Sequence, residues 1–286
     1  MFEQRTIKGA NIAIAVIDSQ IDGTHPDLAG AIVESYNAAG GDDKPHMHGT
    51  GMAGAIAAHK RVLGIAPSAR IFAIKAFSAA GSSAESTTYS ILKGLDWAAS
   101  KGVRVVNMSF AGPRDPSLER AIKGAYDKGL VLVGAAGNAG PKSPPLYPGA
   151  DPNVIAVTAT DENDKLFAQA NQGAYVAVAA PGVDITVPAP DGTYQITTGT
   201  SVAAAHVSGV AALLIERHPT VDATTILEVL TSSARKLGTA ERDDQFGWGL
   251  IDPSSALQEL DARVADSKVA VSARPPAARP ASFSTR

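Results

Sequence analysis

NIAIAVID, residues 11–18, is an almost unbroken apolar run that ends on an acid. Such a run suits a strand buried on both faces, as in a parallel sheet covered by helices. Five further runs read the same way: ARIFAIKAF (69–77), GVRVVNMSF (102–110), GLVLVGAAG (129–137), NVIAVTAT (153–160) and AYVAVAAP (174–181). Between and after them lie segments of helical character at 49–60, 84–100, 116–129, 201–218 and 224–234. Alternation of this kind predicts an α/β fold of three layers, a mostly parallel central sheet with helices on both faces. Right-handed crossovers follow from it.

Composition narrows the function. The 286 residues are 45% hydrophobic and 19% charged, enough to build a sizeable core. A formal net charge of −3, with no long basic run in the first 260 residues, excludes nucleic acid as an expected partner. The absence of cysteine excludes a disulfide framework and thiolate metal sites. No apolar run reaches the roughly 18 residues of a membrane span. The opening, MFEQRTIKGA, shows no apolar signal-peptide core. One domain is expected over 1–262, followed at 263–286 by a Pro/Ala/Arg-rich tail that reads as disordered or as a linker.

In an open α/β sheet, ligands bind beyond the carboxyl ends of the strands. Asp18, Asn107, Ser109 and Asn138 all fall at or just after such ends, and His48 and Ser201 precede helices. An acid, a histidine and a serine so placed are the parts of an activated hydroxyl nucleophile. His206 lies five residues after Ser201 on the same helix, about 140° around its axis, and reads as a core histidine. His46 and His48 could instead pair on a metal, but nothing nominates the remaining ligands. From position alone, Ser201 reads first as a helix N-cap. Its helix is crowded with Ala203, Ala204, Ala205, Ser208, Gly209, Ala211 and Ala212, which implies a central, enclosed element. The positive end of such a helix suits a developing oxyanion. Asn138, flanked by glycines in AAGNAG, reads either as a second donor or as a left-handed turn residue.

AVIDSQIDGTHPDL (15–28), HGTGMAGAIAA (48–58) and GTSVAAAHVSGVAALL (199–214) resemble the three signature blocks of the subtilisin-like serine proteases. VVNMSFAGP (105–113) and LVGAAGNAG (132–140) are similar to that family's substrate and oxyanion segments. All five stand in the family's order, acid then histidine then serine. The resemblance implies a serine endopeptidase in which Asp18 orients His48, His48 is the base, Ser201 attacks and Asn138 holds the oxyanion. It further implies that a peptide substrate pairs with Ser109, Phe110, Ala111 and Gly112. Phe110, Ala111, Ala135, Ala136 and Gly137 would wall an uncharged pocket for a large apolar residue before the cut.

The resemblance also implies a secreted or periplasmic monomer, polypeptide substrates, no cofactor for the chemistry, and a pro-segment or inhibitor as further partner. Departures are Gln20 and Gly51, where the family has Gly and a second His, and Ala205, where it has Pro. Gln20 would be strained if its backbone needed a positive φ. AAHKRVLGIAP (57–67) is shorter than the calcium-holding loop of other members. Asp27 matches one ligand of that calcium site without its partners, which leaves structural calcium poorly supported. The acidic loops GGDD (40–43) and ERDD (241–244) offer oxygens for a weaker site. Two other readings use the same residues: a peptide-binding module without turnover, and an esterase, whose G-x-S-x-G elbow is missing around Ser201.

Overall fold

Strand β1 (Ala13–Asp18) runs through the middle of a seven-stranded sheet and alternates its apolar side chains between two cores. Ile14 and Val16 enter one core, Ala15 and Ile17 the other. That two-sided burial is why the strand carries no polar residue until Asp18. The computed structural model describes residues 7–42, 44–80, 83–238 and 240–272.

After β1 come β2 (Ile32–Asn37), α1 (Met47–Ala57), β3 (Arg70–Lys75), the short pair β4 (Ser78–Ala80) and β5 (Ser83–Glu85), and α2 (Thr88–Ser100). They are followed by β6 (Val105–Met108), α3 (Pro116–Asp127), β7 (Val131–Ala135), β8 (Ile155–Thr160) and β9 (Val176–Pro181). The described residues end with β10 (Ile185–Ala189), β11 (Thr193–Thr197), α4 (Thr200–Arg217), α5 (Ala223–Ser232) and α6 (Pro253–Ser272). The sheet order is β2-β3-β1-β6-β7-β8-β9, parallel throughout. From β1 the chain builds first toward β3 and β2, then returns to add β6 and the rest. The carboxyl ends of β1 and β6 therefore meet at the switch point, where a doubly wound sheet opens a crevice.

Helices α1 and α4 cover one face and pack on each other, while α2 and α3 cover the other. Helix α4 is almost wholly buried, from Val202 to Ile215 apart from His206. Its small residues let it cross the sheet closely. The six apolar runs are all strands of the sheet, and the five expected helices are present with ends shifted by a few residues. Three features differ from the sequence reading. β2, with only intermediate and exposed residues, forms the sheet edge and lacks an apolar signature. The β10–β11 hairpin packs on α1 outside the main sheet. Helix α6 runs on past residue 262, with Ala256 and Leu260 fully buried and Asp261 tied to Arg217 and His218. The Pro/Arg-rich stretch from residue 273 lies outside the described residues.

The tightness of α4 gives a direct test. A Cβ on Gly209 would stand 2.6 Å from the Cβ of Ile65, an atom close to its own backbone. Gly209→Ala is expected to cost about 1–3 kcal/mol by overpacking. Urea denaturation should show a lower midpoint with an unchanged slope.

Candidate active site

Asp18, the last residue of β1, is 3% exposed, and its carboxylate accepts from three donors. The Ser19 N–H donates at 2.7 Å, the Ser19 hydroxyl lies 3.1 Å away, and His48 Nδ1 stands 2.8 and 3.0 Å from the two oxygens. A carboxylate can only accept, so His48 carries its proton on Nδ1 and leaves Nε2 as the free base. Burial alone would lower the pKa of His48. The Asp18 charge and hydrogen bond outweigh that penalty and hold it above the ordinary 6.5.

His48 reaches Asp18 because α1 starts almost in contact with β1. A Cβ on Gly49 would sit 2.3 Å from the Ser19 carbonyl oxygen, so only glycine fits there. The Gly49 N–H donates to the Ser19 hydroxyl at 3.0 Å. His46 caps the helix: its Nδ1 accepts the His48 N–H at 3.2 Å and lies 3.1 Å from Ser19 Oγ. A nitrogen that accepts from a backbone N–H has its lone pair engaged there, so His46 Nδ1 does not offer it to a metal shared with His48. Burial first, and then the neighbouring His48, keep His46 below its ordinary pKa.

Ser201 lies at the second position of α4, not at its cap. The cap is Gly199, with φ 154, which has no side chain of its own to cap that end. The capping role expected for Ser201 is thus absent; its hydroxyl instead donates to the Ser109 carbonyl at 3.0 Å. Ser109 returns the bond, its hydroxyl donating to the Ser201 carbonyl at 2.8 Å. Behind them Asn107 donates to Ser109 Oγ and accepts from Ser208, a buried polar seam that fixes α4 against β6. His206 lies within 2.9 Å of the Pro181 carbonyl through Nδ1.

Asn138 is exposed, but one end of its amide is fixed. Its Oδ1 accepts from the Thr200 N–H at 3.0 Å and the Thr200 hydroxyl at 2.9 Å. Because a backbone N–H can only donate, the facing atom is the oxygen, and Nδ2 is turned the other way. Buried Asn171 holds the same loop, accepting from the Ala139 N–H and donating its own N–H to the Gly137 carbonyl. Sequence reading missed Thr200 and Asn171. Only the position of Thr200 beside Ser201 hinted at a role.

A cavity of about 310 Å³ opens beside this group, lined by Asp18, His46, His48, Phe77, Ala84, Ser109, Phe110 and Ala111. Phe77 and Phe110 pack as a tilted pair with centroids 5.0 Å apart. Ala135 and Ala136 are buried at the end of β7, and Gly137 packs against Asn171. Gly112 is bonded in both directions to Tyr147 and the Ser109 carbonyl holds the Ser201 hydroxyl, so both ends of the segment expected to pair with substrate are already engaged.

Asp27 does not fit a cation. One oxygen accepts from the Arg61 N–H and the Tyr194 hydroxyl, both at 3.1 Å, and the other from the Val62 N–H at 2.9 Å. Burial would raise its pKa, but these donors lower it. They point hydrogens where calcium needs oxygens. In the acidic loops, Asp243 accepts from the N–H groups of Gln245 and Phe246, and Lys75 binds the Gly40 and Asp42 carbonyls. Among the described residues no three His, Cys, Asp or Glu side chains gather as a metal site. Gln20 is not strained: the described non-glycine residues with positive φ are Asn11, Asp164, Asp184 and Asp191.

Asp18→Asn should drop the His48 midpoint below 6.5, because burial remains while the opposing charge is gone. Titration of the imidazole by NMR reads this directly.

Comparison with known proteins accords with this geometry. The model of the Subtilase family matches residues 9–249. Subtilisin DY of Bacillus licheniformis is 39% identical over 265 residues, covering 88% of this chain and 92% of its own. The minor extracellular protease Epr of Bacillus subtilis is 38% identical over 93% of this chain and 41% of its own. The crystal structure of fervidolysin from Fervidobacterium pennivorans superposes with a TM-score of 0.80 at 33% identity, covering 88% of this chain and 43% of that one. The chain belongs to the subtilase family and is a serine endopeptidase.

Proposed function

We propose that the chain cuts polypeptides through Ser201, His48 and Asp18. Ser201 Oγ attacks the scissile carbonyl while His48 Nε2 takes its proton. The leaving amine departs with that proton, and water then releases the acyl group by the same route in reverse. Asp18 keeps the Nδ1–H and stabilises the imidazolium. The oxyanion is met by Asn138 Nδ2 and the Ser201 N–H, one of the first-turn N–H groups that have no intrahelical acceptor. The observation that carries this reading is the two-oxygen contact of buried Asp18 with His48 Nδ1. In the resting arrangement the Ser201 hydroxyl bonds Ser109, so attack begins with a turn about its χ1 toward His48.

A large apolar residue is proposed before the cut. The supporting feature is that Phe77, Ala84, Phe110 and Ala111, which line the cavity, carry no charge, and neither do Ala135, Ala136 and Gly137 at the end of β7, outside that lining. The enzyme is proposed to act outside the cell as a monomer, without a cofactor for the chemistry. The name of one relative, the minor extracellular protease Epr, supports the location. Among the described residues no helix is long and apolar enough to cross a membrane.

Hydrolysis of an unstructured protein such as casein tests the roles. Ser201→Ala should abolish it, and Asn138→Ala should lower kcat about 10²–10³-fold, the loss established for this donor in subtilisin itself. Activity of wild type should rise with pH through a midpoint above 6.5, since only neutral His48 can accept the proton. Full activity of Ser201→Ala overturns the assignment. The Asp27 donor set also makes calcium dispensable at that position. Excess EDTA should leave the melting temperature unchanged, whereas Asp27→Ala, which strands three donors, should lower it.

A further inference from the structure

The Met47 carbonyl and the His48 N–H are the two ends of one peptide group, and a side chain holds each. The N–H donates to His46 Nδ1 at 3.2 Å, and the carbonyl accepts from Gln195 Nε2 at 2.6 Å. The atom facing Met47 must be the amide nitrogen, because its other neighbour, the Pro188 carbonyl at 3.5 Å, is also an acceptor. This peptide lies in the first turn of α1, where the helix leaves its own N–H groups without partners. Rotating its plane changes φ of His48 and swings the imidazole relative to Asp18.

Room for Gln195 comes from an oddity of the sequence. A Cβ on Gly51 would stand 3.1 Å from Gln195 Nε2 and 2.9 Å from Val187 Cγ2. The β10–β11 hairpin lies against α1 over two glycines, Gly54, where a Cβ would stand 2.2 Å from Pro188 Cδ, and Gly51, whose missing side chain leaves Gln195 room to reach the carbonyl one turn earlier. The strand that carries Gln195 leads directly into Gly199–Ser201, so the contact also ties the serine's segment to the histidine's.

We propose that His46 and Gln195 are positioning residues that clamp the Met47–His48 peptide and thereby set His48 against Asp18. The inference rests on the acyl-transfer reading for its catalytic consequence. Gln195 does not line the 310 Å³ cavity, so its loss removes no substrate contact there.

Gln195→Met, which keeps the reach and loses the donor, is the main variant. It should lower kcat about tenfold while leaving KM within about twofold. The His48 midpoint, followed by NMR, should fall toward 6.5 as the contact with Asp18 loosens. His46→Asn, which retains a short capping acceptor, should keep more of kcat than His46→Ala. Because both side chains hold one peptide, Gln195→Met with His46→Ala should lose less than the product of the single losses. A Gln195→Met protein with wild-type kcat and an unmoved His48 midpoint overturns the clamp, as does a lowered melting temperature with neither change. The NMR midpoint needs no turnover. A wild type that cuts no peptide therefore counts against the proposed function, while the midpoint still decides the clamp.

Discussion

The site depends on one close contact, the first turn of α1 resting on the carbonyl of Ser19. At Gly49 there is no room for even a methyl group, since a Cβ would lie 2.3 Å from that oxygen. With the helix this near, His48 meets the carboxylate at the end of β1, and the Ser19 hydroxyl is shared among Asp18, His46 and the Gly49 N–H. A similar constraint governs the second half of the site. A Cβ on Gly199 would lie 2.8 Å from Asn138 Nδ2, so the turn into α4 can pass beside that amide only as glycine. Both halves sit on the carboxyl edge of the sheet, at the switch point, because the order of strands leaves a crevice there.

Electrostatics then does what geometry permits. Asp18 is taken out of water but accepts from an N–H, a hydroxyl and an imidazole, so its charge is offset where it stands. That charge fixes the His48 tautomer and favours the imidazolium, against the cost of burial. Thr200 performs the matching task for Asn138 by engaging its oxygen twice, which leaves the amide nitrogen free to donate. In each case the reacting group is held by a neighbour that does no chemistry itself, as pre-organised sites require. Asp27, the residue that the resemblance matches to a calcium ligand, is instead satisfied by Arg61, Val62 and Tyr194.

Much of this was legible because parallel strands buried on both faces have an unmistakable pattern. The six apolar runs and the alanine-rich α4 could be read from hydrophobicity alone, and the chemistry-bearing residues follow from where those runs end. The misses have physical causes. β2 is a half-exposed edge strand, so Ile32–Asn37 shows no apolar run. The β10–β11 hairpin is short and only partly buried, and its meaning lies in contacts with α1 that are distant in sequence. Helix α6 is mostly polar on its surface and is held by Ala256, Leu260 and the Arg217–Asp261 pair, which composition does not register. Ser201 was read as sharing a capping role, but the helix begins one residue earlier, at Thr200 behind Gly199. Gly51, which the sequence marks only as a departure from the family pattern, is the opening through which Gln195 reaches Met47.

The central claim is that Ser201, although its resting hydroxyl bonds Ser109, is activated by His48. Intact-mass measurement after phenylmethylsulfonyl fluoride treatment, beside a Ser201→Ala control, tests it most directly. One sulfonyl adduct on wild type and none on the control is the predicted result. Folded wild-type protein that takes up no adduct would show that Ser201 and His48 do not act together, and would contradict the account.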